Sequence, residues 1–486
     1  MTILVCFAVY TALLFIVMWL TSRRGSHGNE AFFRGGRRSP WPVVAYGMIG
    51  ASLSGVTFMS VPGGVYTSGW TYMPMVLGYV LGYAAIALVL LPLYYKLNLT
   101  SIYTYLGQRI GSRSEKTGSL FFILSRLLGS ALRMYLVVFV LYEFVFRAWG
   151  VPFWVPAVVF IAIILLYTFQ GGIKTVVWTD MLQTTFLLLA AGATVVAILR
   201  SMDMSAASMI KASAAEGYTR MFDTDPNAPK FWLKQVLAGM FITITMTGLD
   251  QDMMQKNLTC RSLRDAQKNV MTSSVLFIIV NILFLMLGSA LLLYAGHTGF
   301  ALPTDNAGTV VADKIFPSVA FSLSGFTAVC FVLGMVAAGY SSADGTLTAL
   351  TTTFCYNFLG FGEGHARRRS ETTTRRLVHV AFALLYLLVI VAFRPFHRQS
   401  LIDTVFDVAS FTYGPLLGLY AFGLFTKRQA DDRWVPFIAV ASPVVCYILK
   451  AGSPRWFGYN FGFELLLING LITFALLLAS SLFRRR

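Results

Sequence analysis

The chain has 486 residues, of which 57% are hydrophobic and only 12% are charged. Soluble globular proteins contain roughly 45–50% apolar and 25% charged residues, so this composition excludes an ordinary soluble protein and indicates a chain that lies in lipid. The formal net charge of +17 does not indicate a nucleic-acid partner, because the basic residues gather in short segments between apolar runs.

Apolar segments of about 20 residues recur along the whole chain, and each could cross a hydrocarbon core of roughly 30 Å as a helix. The first has no basic leader and no cleavage site, so we expect it to be retained. The sequence therefore predicts an all-α polytopic membrane protein, a single transmembrane domain over 1–486. The thirteen predicted spans are 2–21, 41–65, 70–95, 118–147, 152–170, 174–200, 231–255, 269–296, 318–358, 373–393, 399–425, 433–450 and 462–482.

The basic residues are distributed unevenly between the two sets of alternate loops. One set, which includes the 256–268 loop, the Arg-rich 361–376 link and the C-terminus, holds 25 of the 38 Lys and Arg residues. By the positive-inside rule this set is cytoplasmic. We therefore expect a multi-pass protein of a bacterial inner membrane, with its N-terminus outside and its C-terminus in the cytoplasm.

Two predicted spans are interrupted by small and polar residues. Residues 50–64 read GASLSGVTFMSVPGG and residues 239–256 read GMFITITMTGLDQDMMQK. They belong to the second and the seventh span, five helices apart and so in opposite orientation, which is the arrangement of a five-plus-five inverted repeat with broken helices at the binding site. Alternatively, the small residues only allow close helix packing.

Few ionisable residues lie inside the spans, and such residues usually mark function. Arg133 is predicted near mid-bilayer, where its guanidinium requires an acceptor. That acceptor is either a substrate carboxylate or a protein group, in which case Arg133 is structural. Arg126 lies seven residues earlier on about the same helix face, closer to the cytoplasmic end of the span, and its long side chain is expected to reach the interface. Asp250 and Asp252 are expected to pair with Lys256 or Arg261.

Two further carboxylates, Asp180 and Asp344, are predicted inside spans, the second beside Ser341 and Ser342. Carboxylate and hydroxyl oxygens suit an alkali cation, although a lone intramembrane Asp can equally relay protons or pair with an arginine. No HExxH, GxSxG or GxxxxGK[ST] motif occurs, so we expect no enzymatic activity.

The segment GGIKTVVWTDMLQ, Gly171 to Gln183, resembles the signature of the sodium:solute symporter family. The GASLSGVTF run, the Ala338, Ser341 and Ser342 positions, and YGPLLGLY at 413–420 are similar to the same family. This resemblance implies an inverted-repeat, LeuT-type fold of about 13 transmembrane helices. It has one extra N-terminal helix (2–21), two repeats (41–200 and 231–425) and two extra C-terminal helices (433–482).

The resemblance also implies sodium sites. The principal site would use backbone oxygens of the broken first core helix and of the eighth core helix, together with two serine hydroxyls. Its positions here are Gly50, Leu53, Ala338, Ser341 and Ser342. A possible second site maps to Asp180, Ser341, Asp344 and Gly345. The chain departs here from the serine-rich form of that site, so one or two sodium ions are expected.

The substrate pocket implied by the resemblance is formed by Ser52, Ser54, Thr57, Tyr79 and Arg133. Family members with this pattern include sialic acid transporters, in which an arginine meets the substrate carboxylate. The resulting hypothesis is a sodium-coupled symporter that imports a small polar, anionic solute such as a sugar acid by alternating access, with sodium, solute and lipid as partners and no obligate protein partner. Open alternatives are proton coupling, neutral sugars, polyols or amino acids as solutes, and a solute sensor or a channel.

Overall fold

The computed structural model describes residues 2–23, 29–226, 228, 230–305, 307–361, 368–394, 401–459 and 461–483. Over these ranges the chain is almost entirely helical, and the β-type pairs are isolated bridges. Arg24, Arg367 and Arg484 to Arg486, which enter the loop-charge count, lie outside the described residues.

The N-terminal half contains the broken second span and a long bent helix. Its α-helices are α1 (Thr2–Arg23), α2 (Asn29–Arg34), α3 (Trp41–Ser52), α4 (Gly55–Ser68), α5 (Met73–Ala85), α6 (Leu91–Lys96), α7 (Thr104–Arg109), α8 (Ser112–Leu141), α9 (Trp154–Ser201) and α10 (Ala206–Ala215).

The C-terminal half contains the second broken span and a deeply buried helix. Its α-helices are α11 (Trp232–Thr243), α12 (Gln251–Asn257), α13 (Leu263–Thr298), α14 (Ala312–Leu323), α15 (Gly325–Asn357), α16 (Arg368–Ala392), α17 (Leu401–Phe425), α18 (Val435–Trp456) and α19 (Leu465–Phe483).

Each predicted span coincides with helical structure. Among the described residues, ten helices are long and apolar enough to cross a membrane, and two bent helix pairs pass the same test when each is taken together. A shorter apolar helix, Trp154–Phe169, lies at the remaining predicted span. It joins the next span through Gly172, whose φ of +51° bends α9.

The first break separates α3 from α4 by a bend of 63°. Leu53 and Ser54 adopt extended backbone there. Gly50 and Gly55 flank the break, and a side chain at either would collide with Thr184 on α9 or Val137 on α8. The same two glycines therefore flank the predicted interruption and allow the close helix packing that was the alternative interpretation.

The second break separates the α11 segment from α12 by a bend of 71°. A π-helical turn, Ile244–Gly248, precedes it. Asp250 then starts α12, because its side chain accepts a hydrogen bond from the backbone N–H of Met253 at 3.2 Å. Both predicted broken helices are thus present, and they lie in the second and the seventh predicted span.

One predicted span is wrong in its extent. The apolar pattern predicts a single helix over 318–358, but α14 ends at Leu323 and α15 begins at Gly325. Ser324 is extended and forms a reciprocal capping box with Thr327, which satisfies the first free N–H groups of α15. The polar cap overrides the continuous apolar pattern.

The helix α15 lies at the centre of the fold. Every residue from 335 to 353 is buried, including eight Ser, Thr and Asp side chains that a lipid-facing helix would not carry. The helix packs against α8 and α9, and it also touches α3. These four helices bring both ends of the first break close to the polar residues of α15.

Candidate functional site

A cavity of about 90 Å³ lies beside the first break, between α3, α5, α8 and the second broken segment. That volume has room for several water molecules. All five residues predicted to bind substrate line it: Ser52, Ser54, Thr57, Tyr79 and Arg133. The structure brings these residues together from four helices, and their role as ligands stays a prediction.

Arg133 is the basic residue of this cavity that has no ion-pair partner within the described part of the chain. In the described part of the chain, no carboxylate lies within ion-pair distance of its guanidinium, and no hydrogen bond from it to a described residue is formed. The alternative in which Arg133 is held by a protein carboxylate therefore finds no support among these residues. A guanidinium offers five donors that match a carboxylate in bidentate geometry.

Sequence reasoning missed two tyrosines that line the same cavity. The Tyr72 and Tyr79 hydroxyls are 2.9 Å apart, and Tyr83 lies one turn further along α5. Tyr72, Tyr79 and Tyr83 are spaced by seven and four residues, so they share one helix face. This spacing beside a broken helix was a signal available in the sequence.

The residues of the predicted principal sodium site lie on two touching helices, α3 and α15. Gly50 and Leu53 stand where α3 ends, a place at which carbonyl groups have no intrahelical donor. Ala338, Ser341 and Ser342 are buried in the middle of α15. Carbonyl and hydroxyl oxygens are hard donors, so this set fits an alkali cation. Sodium binding at these residues stays a prediction.

The residues of the possible second sodium site are close together, but a protein cation is among them. The ammonium Nζ of Lys256 lies 2.9 Å from Asp180 Oδ2 and 3.3 Å from Asp252 Oδ1. The other oxygen of Asp180 accepts a hydrogen bond from the Ser341 hydroxyl at 2.6 Å. Lys256, counted in the sequence analysis as a loop charge, is only 1% exposed.

Arg126 joins this group and corrects a second expectation. It does not reach the interface, because its guanidinium is buried and pairs with Asp252 and, at 3.5 Å, with Asp250. The expected pairing of Asp252 with Lys256 is present, whereas Arg261 is exposed. We call Arg126, Asp180, Asp250, Asp252 and Lys256 the charged cluster.

Asp344 lies next to the charged cluster without pairing with a cation there. Its Oδ2 accepts hydrogen bonds from the Tyr167 hydroxyl at 2.8 Å and from the Thr179 hydroxyl at 3.3 Å. Its Oδ1 faces the backbone N–H of Gly345 at 2.6 Å. Both oxygens are therefore already held by protein donors.

Comparisons with known proteins agree with this architecture. The sodium/sialic acid symporter SiaT of Proteus mirabilis (strain HI4320) is 26% identical, over 96% of this chain and 94% of its own length. The sodium/sialic acid symporter NanT of Aliivibrio fischeri (strain ATCC 700601 / ES114) is 24% identical, over 96% of this chain and 91% of its own.

Among solved structures, a Na⁺-coupled sialic acid symporter in a substrate-bound outward-open state superposes with a TM-score of 0.81. It is 23% identical and the match covers 99% of this chain and 97% of that one. At this identity the likeness establishes the fold. The model of the sodium:solute symporter family matches residues 32–432. This chain belongs to the sodium:solute symporter family and is a multi-span membrane transport protein.

Proposed function

We propose that the protein is a sodium-coupled symporter that imports a sialic acid, or a closely similar acidic sugar, by alternating access. The observation that carries the proposal is Arg133, whose guanidinium has no hydrogen-bond or ion-pair partner among the described residues and faces a cavity lined by hydroxyl groups. Its carboxylate-binding geometry fits an acidic sugar, and the relatives reported above are sialic acid symporters.

In the proposed mechanism, the helices move at the two breaks. Sodium, bound between Gly50, Leu53, Ala338, Ser341 and Ser342, would hold the end of α3 against α15. The hydroxyls of Ser52, Ser54 and Thr57 on the same broken span would then be fixed for the solute, while Tyr79 and Arg133 bind it from the facing helices. Sodium and solute would each stabilise the arrangement that the other requires.

The wider organisation is proposed on the same basis. The extra helix at 2–21, the repeats at 41–200 and 231–425 and the extra helices at 433–482 would form a scaffold and a bundle that rock against each other. The charge distribution supports an N-terminus outside a bacterial inner membrane and a cytoplasmic C-terminus.

The test is thermal stabilisation of the purified protein by a panel of sialic acids, hexuronates, neutral sugars and amino acids, each in sodium and in choline. We expect a sialic acid to stabilise the protein in sodium, and sodium and solute to raise each other's affinity by one common factor. Equal stabilisation in choline would contradict sodium coupling. Stabilisation by neutral solutes alone would contradict the role of Arg133.

A further inference from the structure

The position that the second sodium ion would take already holds a cation of the protein. Lys256 extends from α12 and places its ammonium between Asp180 of α9 and Asp252 of its own helix, 2.9 Å and 3.3 Å from their oxygens. Its side chain is 1% exposed and those of the two carboxylates are no more so. A sodium ion bound to Asp180 would therefore lie next to a buried like charge.

Gly345 is a second, independent sign of the same arrangement. A Cβ atom built at Gly345 would collide with Asp252 Oδ1 and lie 2.8 Å from Lys256 Nζ. The ion pair therefore occupies the space that a serine side chain at this position would need. A hydroxyl at residue 345 and the Lys256 ion pair would need the same space, so the absence of the first goes with the presence of the second.

The remaining carboxylate oxygens of the set are also held by protein donors. Asp180 Oδ1 accepts from Ser341, and Asp344 Oδ2 accepts from Tyr167 and Thr179. Asp180 Oδ2 faces the Lys256 ammonium and Asp344 Oδ1 accepts from the backbone N–H of Gly345, so each of the four carboxylate oxygens already has a partner in the protein. They do not fit a second sodium ion.

The lysine also connects the two sites proposed above. Arg126, which lines the substrate cavity, pairs with Asp252; Asp252 pairs with Lys256; and Lys256 pairs with Asp180. Asp180 in turn accepts the hydrogen bond of Ser341, a predicted ligand of the principal sodium ion. The ammonium therefore lies within a continuous row of polar contacts from cavity to ion site.

We propose that the ammonium of Lys256 takes the place of a second sodium ion between Asp180 and Asp252, so that the protein binds one sodium ion, at the principal site. This inference rests on the proposed sodium-coupled function. Because the ammonium is covalently attached to α12, it stays with the protein when solute and sodium leave.

The test is a count of bound ions by equilibrium dialysis of the full-length purified protein with radioactive sodium at saturating sialic acid. We expect one sodium ion per wild-type chain and a Hill coefficient of about 1 for stabilisation by sodium, as for any single site. Two sodium ions per wild-type chain would overturn the proposal. This measurement needs no variant.

A double variant, Lys256→Ala with Gly345→Ser, removes the ammonium and supplies the hydroxyl. We expect it to bind two sodium ions, whereas the matched control Lys268→Ala, which removes an exposed lysine of α13, should bind one. A folded double variant that still binds one sodium ion would contradict the proposal. If the wild-type chain binds none and the sialic acid binds equally in choline, sodium coupling itself fails and this inference fails with it.

Discussion

Two arginines of one helix lie in contrasting surroundings. Arg126 and Arg133 are seven residues apart on α8, so they point in about the same direction, two turns from each other. Arg126 belongs to the charged cluster and pairs with Asp250 and Asp252. Arg133 faces the cavity and has no described carboxylate within ion-pair distance. The residue type and the helix are the same, and the neighbouring side chains distinguish the arginine paired within the fold from the one proposed to bind the solute.

The two arginines differ in how the cost of burying their charge is compensated. A buried charge costs several kcal/mol of desolvation unless partners compensate it. In the charged cluster the partners are built into the fold, so its charges hold helices α8, α9 and α12 together. At Arg133 the described residues supply no carboxylate partner, and a solute carboxylate is the proposed source of compensation. The cluster should therefore govern stability, and the cavity should govern affinity.

The largest effect is expected at the centre of the charged cluster. Asp252→Asn removes the carboxylate shared by Arg126 and Lys256 and leaves both cations under-compensated, which should lower the free energy of unfolding by about 3–5 kcal/mol. Thermal unfolding in detergent would measure it. The control is Asp407→Asn, whose carboxylate is 44% exposed and pairs with Lys450; it should change stability by at most about 1 kcal/mol. Equal losses in both variants would break the comparison.

The second prediction concerns the cavity. Arg133→Gln should change the free energy of unfolding by no more than roughly 0.5 kcal/mol, because no described ion pair is lost. It should weaken binding of the acidic sugar by about 2–5 kcal/mol, since the carboxylate then lacks its charged partner. Calorimetry in sodium would measure the affinity. A large loss of stability without a loss of affinity would assign Arg133 to the fold.

The third prediction concerns the close packing of Gly345 against the charged cluster. Gly345→Ala places a methyl group against Asp252 and Lys256, and such overpacking should cost about 1–3 kcal/mol of stability. The matched control is Gly296→Ala on α13, where an added Cβ meets nothing within 4 Å, so that variant should be neutral or slightly more stable. An equally tolerated Gly345→Ala would show that the cluster has spare room.

The smallest effect is expected at the principal sodium site. Ser342→Ala removes one hydroxyl ligand and should weaken sodium binding by about 1 kcal/mol, roughly fivefold, while sialic acid affinity at saturating sodium is retained. Sodium titration of thermal stability would measure the change. Ser481→Ala, near the end of α19, is the control and should leave the sodium dependence unchanged. No change in Ser342→Ala would remove that hydroxyl from the site.

Much of the fold could be predicted from the sequence, because the length of each apolar segment and the charge of each loop depend only on residues that are neighbours in the chain. The two breaks were visible as small and polar residues inside apolar runs, and they bend the chain by 63° and 71°. The break at Ser324 was not visible, since single serines are common in membrane helices and a window of average hydropathy does not register one cap.

The candidate site could be predicted only in part, for the same reason. The five cavity residues could be predicted because each lies on a helix that the family resemblance identified. The position of Lys256 could not, because its partner Asp180 is 76 residues away in sequence and the lysine stands where the predicted broken span meets a basic loop. The burial of Lys256 depends on the packing of α12 against α15 and α9, which the spacing of residues along the chain does not show.

The tethered ammonium of Lys256 has an electrical consequence. If one sodium ion enters with one singly charged sialate anion, the cycle carries no net charge, and accumulation should be independent of the membrane potential. A transporter that moved a second sodium ion would gain about 2.3 kcal/mol per 100 mV, roughly a fiftyfold higher accumulation ratio. With Lys256 in place of a second sodium ion, the driving force for uptake would be smaller and would not depend on the membrane potential. Uptake would then follow the sodium gradient alone.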